Sequence, residues 1–522
     1  PGASRRGKSA DRLPAVRCRR RQGGGTGRRN LIGYARRGTI AGRHSAVGMN
    51  DHTERVIFIS ISSPAAFRNL FFFPGSLFDR LEEAFSRGSG FSVVLVMSPH
   101  ARQKYDFFFA ARAARHGERL RIEVVEVPAA KSIPQRVFYF FYSYLVYTGT
   151  TRIMATLGTR PDEPPAGGRR FLAPLKILIA KTLGRSVWIK RVLVPRLWLF
   201  VFSERPFAAL FDRVRPDAVF VTHLYGWFDT VLIAEAKRRG IRTIGMPAGW
   251  DHLDKYFLPF HADRLLVASG QVKRMAVEYQ AYDPAAIATV GYPHFDFIAR
   301  RDFLTSREAL LRRLGFPSGA KYFLYVSGSA YCPDEPDIIE TILQWADDGR
   351  FGADAYLVIR PYLGGRGRDK AFDAEKFNRF ASHPRVVFYR KEFWGDMQLS
   401  LDFMNILGHA DAVIALYTTM VVEAAVLDRP LVAPAFDGYR HRPYRRSIRR
   451  FMGFDHFREV LAVGALRIAY NFDELFSFLD GYLKNPRLDA EARERLRQEI
   501  CGPLDGATAR RILDEIIGNG RG

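Results

Sequence analysis

The sequence predicts an α/β protein made of two doubly wound parallel-sheet domains in tandem, the first carrying a helical insert. Three observations predict it. Short apolar runs of strand length recur with helical stretches between them, the pattern of parallel strands buried on both faces. A chain of 522 residues is too long for one ordinary core. The alternation lapses over residues 134–211, which read as helical, aromatic and basic.

Composition narrows the class further. Hydrophobic residues at 47% and aromatic residues at 13% supply a sizeable core and exclude global disorder. The net charge is +25, and residues 1–48 hold thirteen Arg or Lys against one Asp. So basic a chain suits phosphorylated substrates, anionic lipid or nucleic acid. No RRM, KH or zinc-finger spacing is present, so no specific nucleic-acid partner is expected. Cys18, Cys332 and Cys501 lie far apart without metal-ligand spacing, which fits a reducing compartment. No run of about twenty apolar residues offers a spanning helix, and residues 1–48 lack the apolar core of a secretory signal.

Those first 48 residues are rich in Arg, Gly and Ser and are expected to be disordered. They read either as an RNA-binding arm or as sequence ahead of a true start at Met49. A strand over 56–61 opens the first domain. A helix around 77–85 follows, then a strand over 91–97 that ends in Ser98-Pro99-His100. Ligands in such folds sit beyond the carboxyl ends of strands, which makes His100 a candidate base.

In the insert, 137–147 is aromatic but too short to span a bilayer. Residues 171–202 interleave apolar side chains with Lys176, Lys181, Arg185, Lys190, Arg191 and Arg196, just after Arg169 and Arg170. This mixture suits helices lying in an anionic membrane interface. The alternative is a helical insert that packs on the domain and leaves its charges in water.

Strands over 216–223, 241–246, 264–269 and 287–291 complete the first domain, with a helix over 230–239 stopped by Gly240. His223 and Asp251 follow two of these strands and join His100 as candidate bases. In the second domain a helix over 306–314, capped by Thr305 or Ser306, precedes strands near 322–326, 356–360, 386–389 and 412–416. Ser327-Gly328-Ser329 is a phosphate-tolerant turn after a strand, and Arg360 ends the next strand. Asp334-Glu335-Pro336-Asp337 reads as a helix start. The tail is helical over 473–479 and 490–517.

The stretch 408–432 carries the strongest signal. Its apolar run is broken by Tyr417-Thr418-Thr419, and 420–427 reads as a helix beginning at the threonines. Free backbone N–H groups and the positive end of the helix dipole make such a turn an anion site. Glu423 lies one turn beyond Thr419 and faces nearly the same way, so its carboxylate is placed to grip a ribose diol. The alternative is an ordinary βαβ unit in which Thr418 or Thr419 caps the helix and Glu423 is solvated.

The pattern Ala-Asp-Ala-Val-Ile-x-x-Tyr-Thr-Thr-x-x-x-Glu-Ala-Ala-x-Leu-x-x-Pro resembles the nucleotide-diphosphate site of GT-B glycosyltransferases, above all the CDP-glycerol glycerophosphotransferase and surface-polysaccharide branch. Asp505-Gly506 followed by Arg511 resembles the closing Asp-Gly-x-x-x-x-Arg phrase of that branch. Val290-Gly291-Tyr292-Pro293-His294-Phe295-Asp296 resembles the interdomain hinge of GT-B enzymes and of non-hydrolysing UDP-GlcNAc 2-epimerases. The likeness spans roughly 215–517. It implies two facing Rossmann-like domains, 49–300 and 301–490, closed by a helix over 491–522. It also implies a donor site of Tyr417, Thr418, Thr419, Met420, Glu423, Arg360, Ser327, Gly328 and Ser329, with the base drawn from His223, Asp251 or His100.

The implied reaction moves a sugar or polyol phosphate from a nucleotide-activated donor to a cell-surface glycan or lipid-linked acceptor, at the cytoplasmic face of the cell membrane. No Asp-x-Asp triplet occurs, so a metal-independent reaction without further cofactor is expected. A 2-epimerase is the alternative enzyme. However, its Gly-Asp-Thr phrase reads Trp227-Phe228-Asp229-Thr230 here, Pro247 or Ala248 replaces its glutamate, and its Glu-Glu pair is reduced to Glu423. A non-catalytic membrane or RNA-binding scaffold is the reading from a different class.

Overall fold

The computed structural model describes residues 54–129, 132–157, 172–364, 368–392 and 395–518. The tail 1–48, Met49, Arg169 and Arg170 lie outside them. Seven strands form the first sheet: β1 Arg55–Ile61, β2 Phe91–Met97, β3 Leu120–Val124, β4 Ala218–Val221, β5 Arg242–Gly245, β6 Arg264–Val267 and β7 Ile287–Thr289. They run parallel in the order β3-β2-β1-β4-β5-β6-β7. Six form the second: β8 Lys321–Val326, β9 Ala355–Arg360, β10 Val386–Phe388, β11 Ala412–Ala415, β12 Leu431–Pro434 and β13 Leu466–Ala469. Their order is β10-β9-β8-β11-β12-β13, again all parallel.

Helices cover both faces, so the inner strands β2, β4, β11 and β12 are buried along their whole length. That is why they read as unbroken apolar runs. Strand order reverses between β1 and β4 in one sheet and between β8 and β11 in the other. Loops diverge at such reversals and open a crevice beyond the carboxyl ends of the strands.

The edge strands β3 and β13 escape the sequence pattern. Leu120-Arg121-Ile122-Glu123-Val124 and Leu466-Arg467-Ile468-Ala469 are charged and partly open, because an edge strand is half solvated. The tail helix is also interrupted. Ala490–Leu496 runs on to Cys501, Gly502 takes φ +75° ahead of Pro503, and the chain restarts as Thr508–Ile517. This last helix returns to the first domain. Arg264 pairs with Glu515 at 2.8 Å, and Arg242 and Arg55 donate to the carbonyls of Ile516 and Ile517.

The insert lies between β3 and β4 as Ile133–Ser143, Gly149–Thr156, Ala173–Lys181, Val194–Val201 and Ala208–Val214. It packs on the domain through fully buried Trp198, which meets Phe202, Trp227 and Phe260. Lys190 and Arg191 donate to the carbonyls of Tyr279 and Ala281. Its outer side keeps large apolar side chains in solvent, with Trp188 59% and Phe200 82% exposed. Among the described residues no helix is long and apolar enough to cross a membrane.

Candidate functional site

The chain leaves β11 through a strained turn. Tyr417 has φ +49°, a left-handed conformation rare for an aromatic residue and concentrated at functional sites. The Thr418 hydroxyl accepts from the Met420 N–H at 3.3 Å, so Thr418 is the residue that caps. Thr419 is exposed, and its hydroxyl has no partner among the described residues. The helix Met420–Val426 then buries every residue from Val421 onward, Glu423 included.

Glu423 is therefore not solvated. Its Oε1 accepts from Nη1 of Arg68 at 2.6 Å and lies 3.8 Å from Nε2 of His294. Arg68 follows β1 in the first domain, and His294 lies in the helix Pro293–Arg300 that leaves β7. Three parts of the chain thus meet at one carboxylate. Burial alone pushes the Glu423 carboxyl up, but Arg68 and then His294 hold it down at about 2, so it is ionised. The same burial lowers His294 to about 4 and leaves its ring neutral at pH 7. Oε2 of Glu423 and Nδ1 of His294 are buried without a hydrogen-bond partner among the described residues.

The other expected donor residues end the neighbouring strands, since β8 lies between β11 and β9. Ser327 accepts from the Tyr362 N–H at 2.9 Å, and the Gly328 N–H is taken by Glu335 at 2.8 Å. Lys376 sits beneath this turn, donating to the Gly328 carbonyl and to Glu335. Burial raises the Glu335 carboxyl to about 7, against the pull of Lys376. Only Ser329 of the three turn residues is not fully buried. Arg360 is buried and donates to the carbonyls of Tyr389 and Lys391, which ties it to the loop after β10. The acids 334–337 do start a helix, Glu335–Asp347, where Asp334 is bound by Arg442.

In the first domain His223 and Asp251 follow adjacent strands β4 and β5, and Tyr225 links His223 to His252, the neighbour of Asp251. The Tyr225 hydroxyl lies 3.2 Å from the His252 ring nitrogens, and its ring meets His223 edge-on at 4.2 Å between centroids. Asp251 is gripped by Lys255. Burial raises its carboxyl, but the Lys255 ammonium overrides that and holds it well below the usual range. His223 is partly exposed, its ring nitrogens have no partner among the described residues, and burial lowers it to about 4. His100 is exposed at the end of β2, separated from β4 by β1, and is not brought to this cluster.

Sequence reasoning did not single out Arg68, Tyr225, His252 or Lys255 as site residues. It also missed the buried carboxylate of Asp229, which accepts from Ser60 and Ser62. Burial lifts Asp229 to about 6, against those two hydroxyls. A second interdomain junction was equally silent. Asp254 accepts from Nδ1 of His456 at 2.8 Å and from Thr150 at 2.5 Å. His294 and Asp229 lay inside quoted motifs, but neither had been given a role.

No family model matches the sequence, and no curated protein matches it. Solved structures do. A protein of Listeria monocytogenes assigned as a UDP-N-acetylglucosamine 2-epimerase superposes with a TM-score of 0.50 at 14% identity, covering 89% of this chain and 96% of that one. The fold is GT-B-like. The UDP-GlcNAc 2-epimerase of Methanocaldococcus jannaschii gives 0.48 at 13% identity, over 89% and 100% of the two chains. A glycosyltransferase of Rickettsia africae gives 0.47 at 9%, over 90% and 100%.

Proposed function

We propose that the chain is a transferase that moves a sugar or a polyol phosphate, such as glycerol phosphate, from a nucleotide-activated donor to a glycan or lipid-linked acceptor. The observation that carries this reading is Glu423, ionised and buried one turn inside the helix that follows β11. One of its oxygens is taken by Arg68 and the other has no hydrogen-bond partner among the described residues. A hydroxyl donating to an ionised acceptor forms a charge-assisted bond, worth about 1.5–3 kcal/mol. A ribose diol offers two such hydroxyls. The turn ahead of Glu423 presents the Thr419 hydroxyl and a helix start to the diphosphate.

His223, which follows β4 in the first domain, is the base. Its ring stays neutral through the physiological range, so it can take the proton of an acceptor hydroxyl as that oxygen attacks the donor. Asp251 is tied to Lys255 and serves to position its neighbours. Charge gathering on the departing diphosphate is met by the 417–420 turn, and closure of the two domains over the donor keeps water out. The fold alone does not separate a transferase from a 2-epimerase. Incubating a nucleotide sugar without acceptor does: an epimerase interconverts the sugar, whereas a transferase leaves it unchanged until an acceptor is added.

The insert supports a place at the inner face of an anionic membrane. Leu178, Trp188 and Phe200 are exposed beside Lys181, Arg185, Arg191 and Arg196. The protein should float with vesicles containing anionic lipid and lose that preference as salt rises. Equal flotation with neutral vesicles would exclude it. The enzymatic reading itself is tested by a thermal-shift screen of UDP, CDP, GDP and CMP conjugates, since a ligand of the native state raises its apparent stability.

A further inference from the structure

We infer that the insert and the first domain together bind one lipid with an anionic head, a prenyl or alkyl phosphate, along a bent channel. This rests on the transferase reading and names its acceptor. The inner chamber encloses about 290 Å³ and is walled by Tyr139, Tyr144, Tyr225 and Tyr256, with Lys176 and Lys255.

The two lysines differ. Lys255 is neutralised by Asp251. Lys176 is only 9% exposed, its ammonium lies 4.7 Å over the Tyr144 ring, and it has no ion-pair partner among the described residues. Lys176 thus brings a positive charge to the chamber wall that no carboxylate among the described residues balances, and an anion entering the chamber gains a charge-assisted partner.

The chamber adjoins a surface groove of about 520 Å³ and shares Tyr139, Ser143 and Tyr144 with it. That groove is walled by apolar side chains, Ile133, Val137, Phe140 and Leu175 among them. Ile133 is 77% exposed and Val137 49%. At the inner end, Tyr225 belongs both to the chamber wall and to the cluster with His223 and His252. Apolar groove, cationic chamber and candidate base therefore stand in series. An amphiphile fits that order: its chain lies in the groove, its phosphate beside Lys176, and its oxygens point toward His223. A free phosphate uses only the chamber, and a neutral alcohol only the groove.

Calorimetry with decyl phosphate, decanol and inorganic phosphate, each below its aggregation concentration, tests this, with a nucleoside diphosphate titrated in parallel. Decyl phosphate should bind at least about tenfold more tightly than either fragment, one decade being about 1.4 kcal/mol. Lys176→Met should bring decyl phosphate to the level of decanol. Leu175→Arg, or Val137→Arg should that variant misfold, should weaken both decyl compounds and leave the nucleotide untouched. Decyl phosphate binding no better than decanol, or unchanged in Lys176→Met, overturns the inference. If the nucleotide binds and decyl phosphate does not, only the lipid site falls. If decyl phosphate binds and no nucleotide does, the lipid site stands and the transferase reading falls.

Discussion

At the scale of single residues, the pair Arg68–Glu423 matters most. Glu423 is buried and Arg68 is partly buried, so removing Arg68 strips a buried carboxylate of its ion-pair partner, which typically costs about 3–5 kcal/mol. Arg68→Met and Glu423→Gln should each lower the urea midpoint clearly, while the double variant should fall well short of their sum. Additive losses would mean that the two charges do not depend on each other. His223 makes a second prediction. Because burial lowers its pKa to about 4, the acid limb of the pH–rate profile should fall near pH 4 rather than near 6.5. His223→Gln should cost about 10²–10⁴-fold in kcat, the usual worth of general-base catalysis. A normal rate in that variant, or an acid limb near 6.5, would remove His223 from the role. Glu423 was legible because strand, turn and helix occupy one contiguous stretch. Arg68 was not, because it lies 355 positions away in the chain and only the tertiary fold brings it there.

At the scale of elements, the connection after β7 sets how the last helix docks. Gly291 has φ +94°, and a Cβ there would sit 2.6 Å from the Thr508 hydroxyl. The Thr508 N–H donates to Asp296 at 3.1 Å, so the connection and the returning helix are hydrogen-bonded. Gly291→Ala should cost about 1–3 kcal/mol through the unfavourable backbone conformation alone. The Thr508 clash adds to this, and limited proteolysis should release the Thr508–Ile517 helix early. Unchanged protection would show that the close approach relaxes freely. Central strands such as β2 and β11 were legible because burial on both faces writes an apolar run. β3 and β13 were not, because an edge strand has no such obligation. The turn at Ser327-Gly328-Ser329 looked open in sequence, yet Glu335 and Lys376 fasten it from below, and no local pattern announces that.

Across the whole molecule, buried titrating groups pull stability in opposite directions. His223, His252, His261 and His294 all titrate near 4 when folded, below their ordinary 6.5, with burial the leading cause. The unfolded chain takes up those protons first, so their contribution is present above pH 6.5 and is lost as pH falls toward 4. Burial instead raises Asp229 and Asp373 to about 6 and Glu335 to about 7. There the folded chain takes up protons first, and the contribution fades as pH rises through those values. Between pH 7 and 5 the four histidines outweigh the three carboxyls, so the urea midpoint should fall as pH drops across that range. Asp373→Asn should raise it at pH 8, where burial of the charged carboxylate outweighs its pairing with Lys376 at 3.7 Å, and should change little at pH 4. The central claim is that Glu423 and the adjoining turn hold a nucleotide. Calorimetric affinities for a nucleoside and its diphosphate test it most directly, measured on wild type, Thr419→Val and the Arg68→Met/Glu423→Gln pair. Thr419→Val should weaken the diphosphate and spare the nucleoside, while the paired variant should weaken both by about tenfold or more, part of two charge-assisted bonds. Full affinity for both ligands in the folded paired variant would contradict the claim.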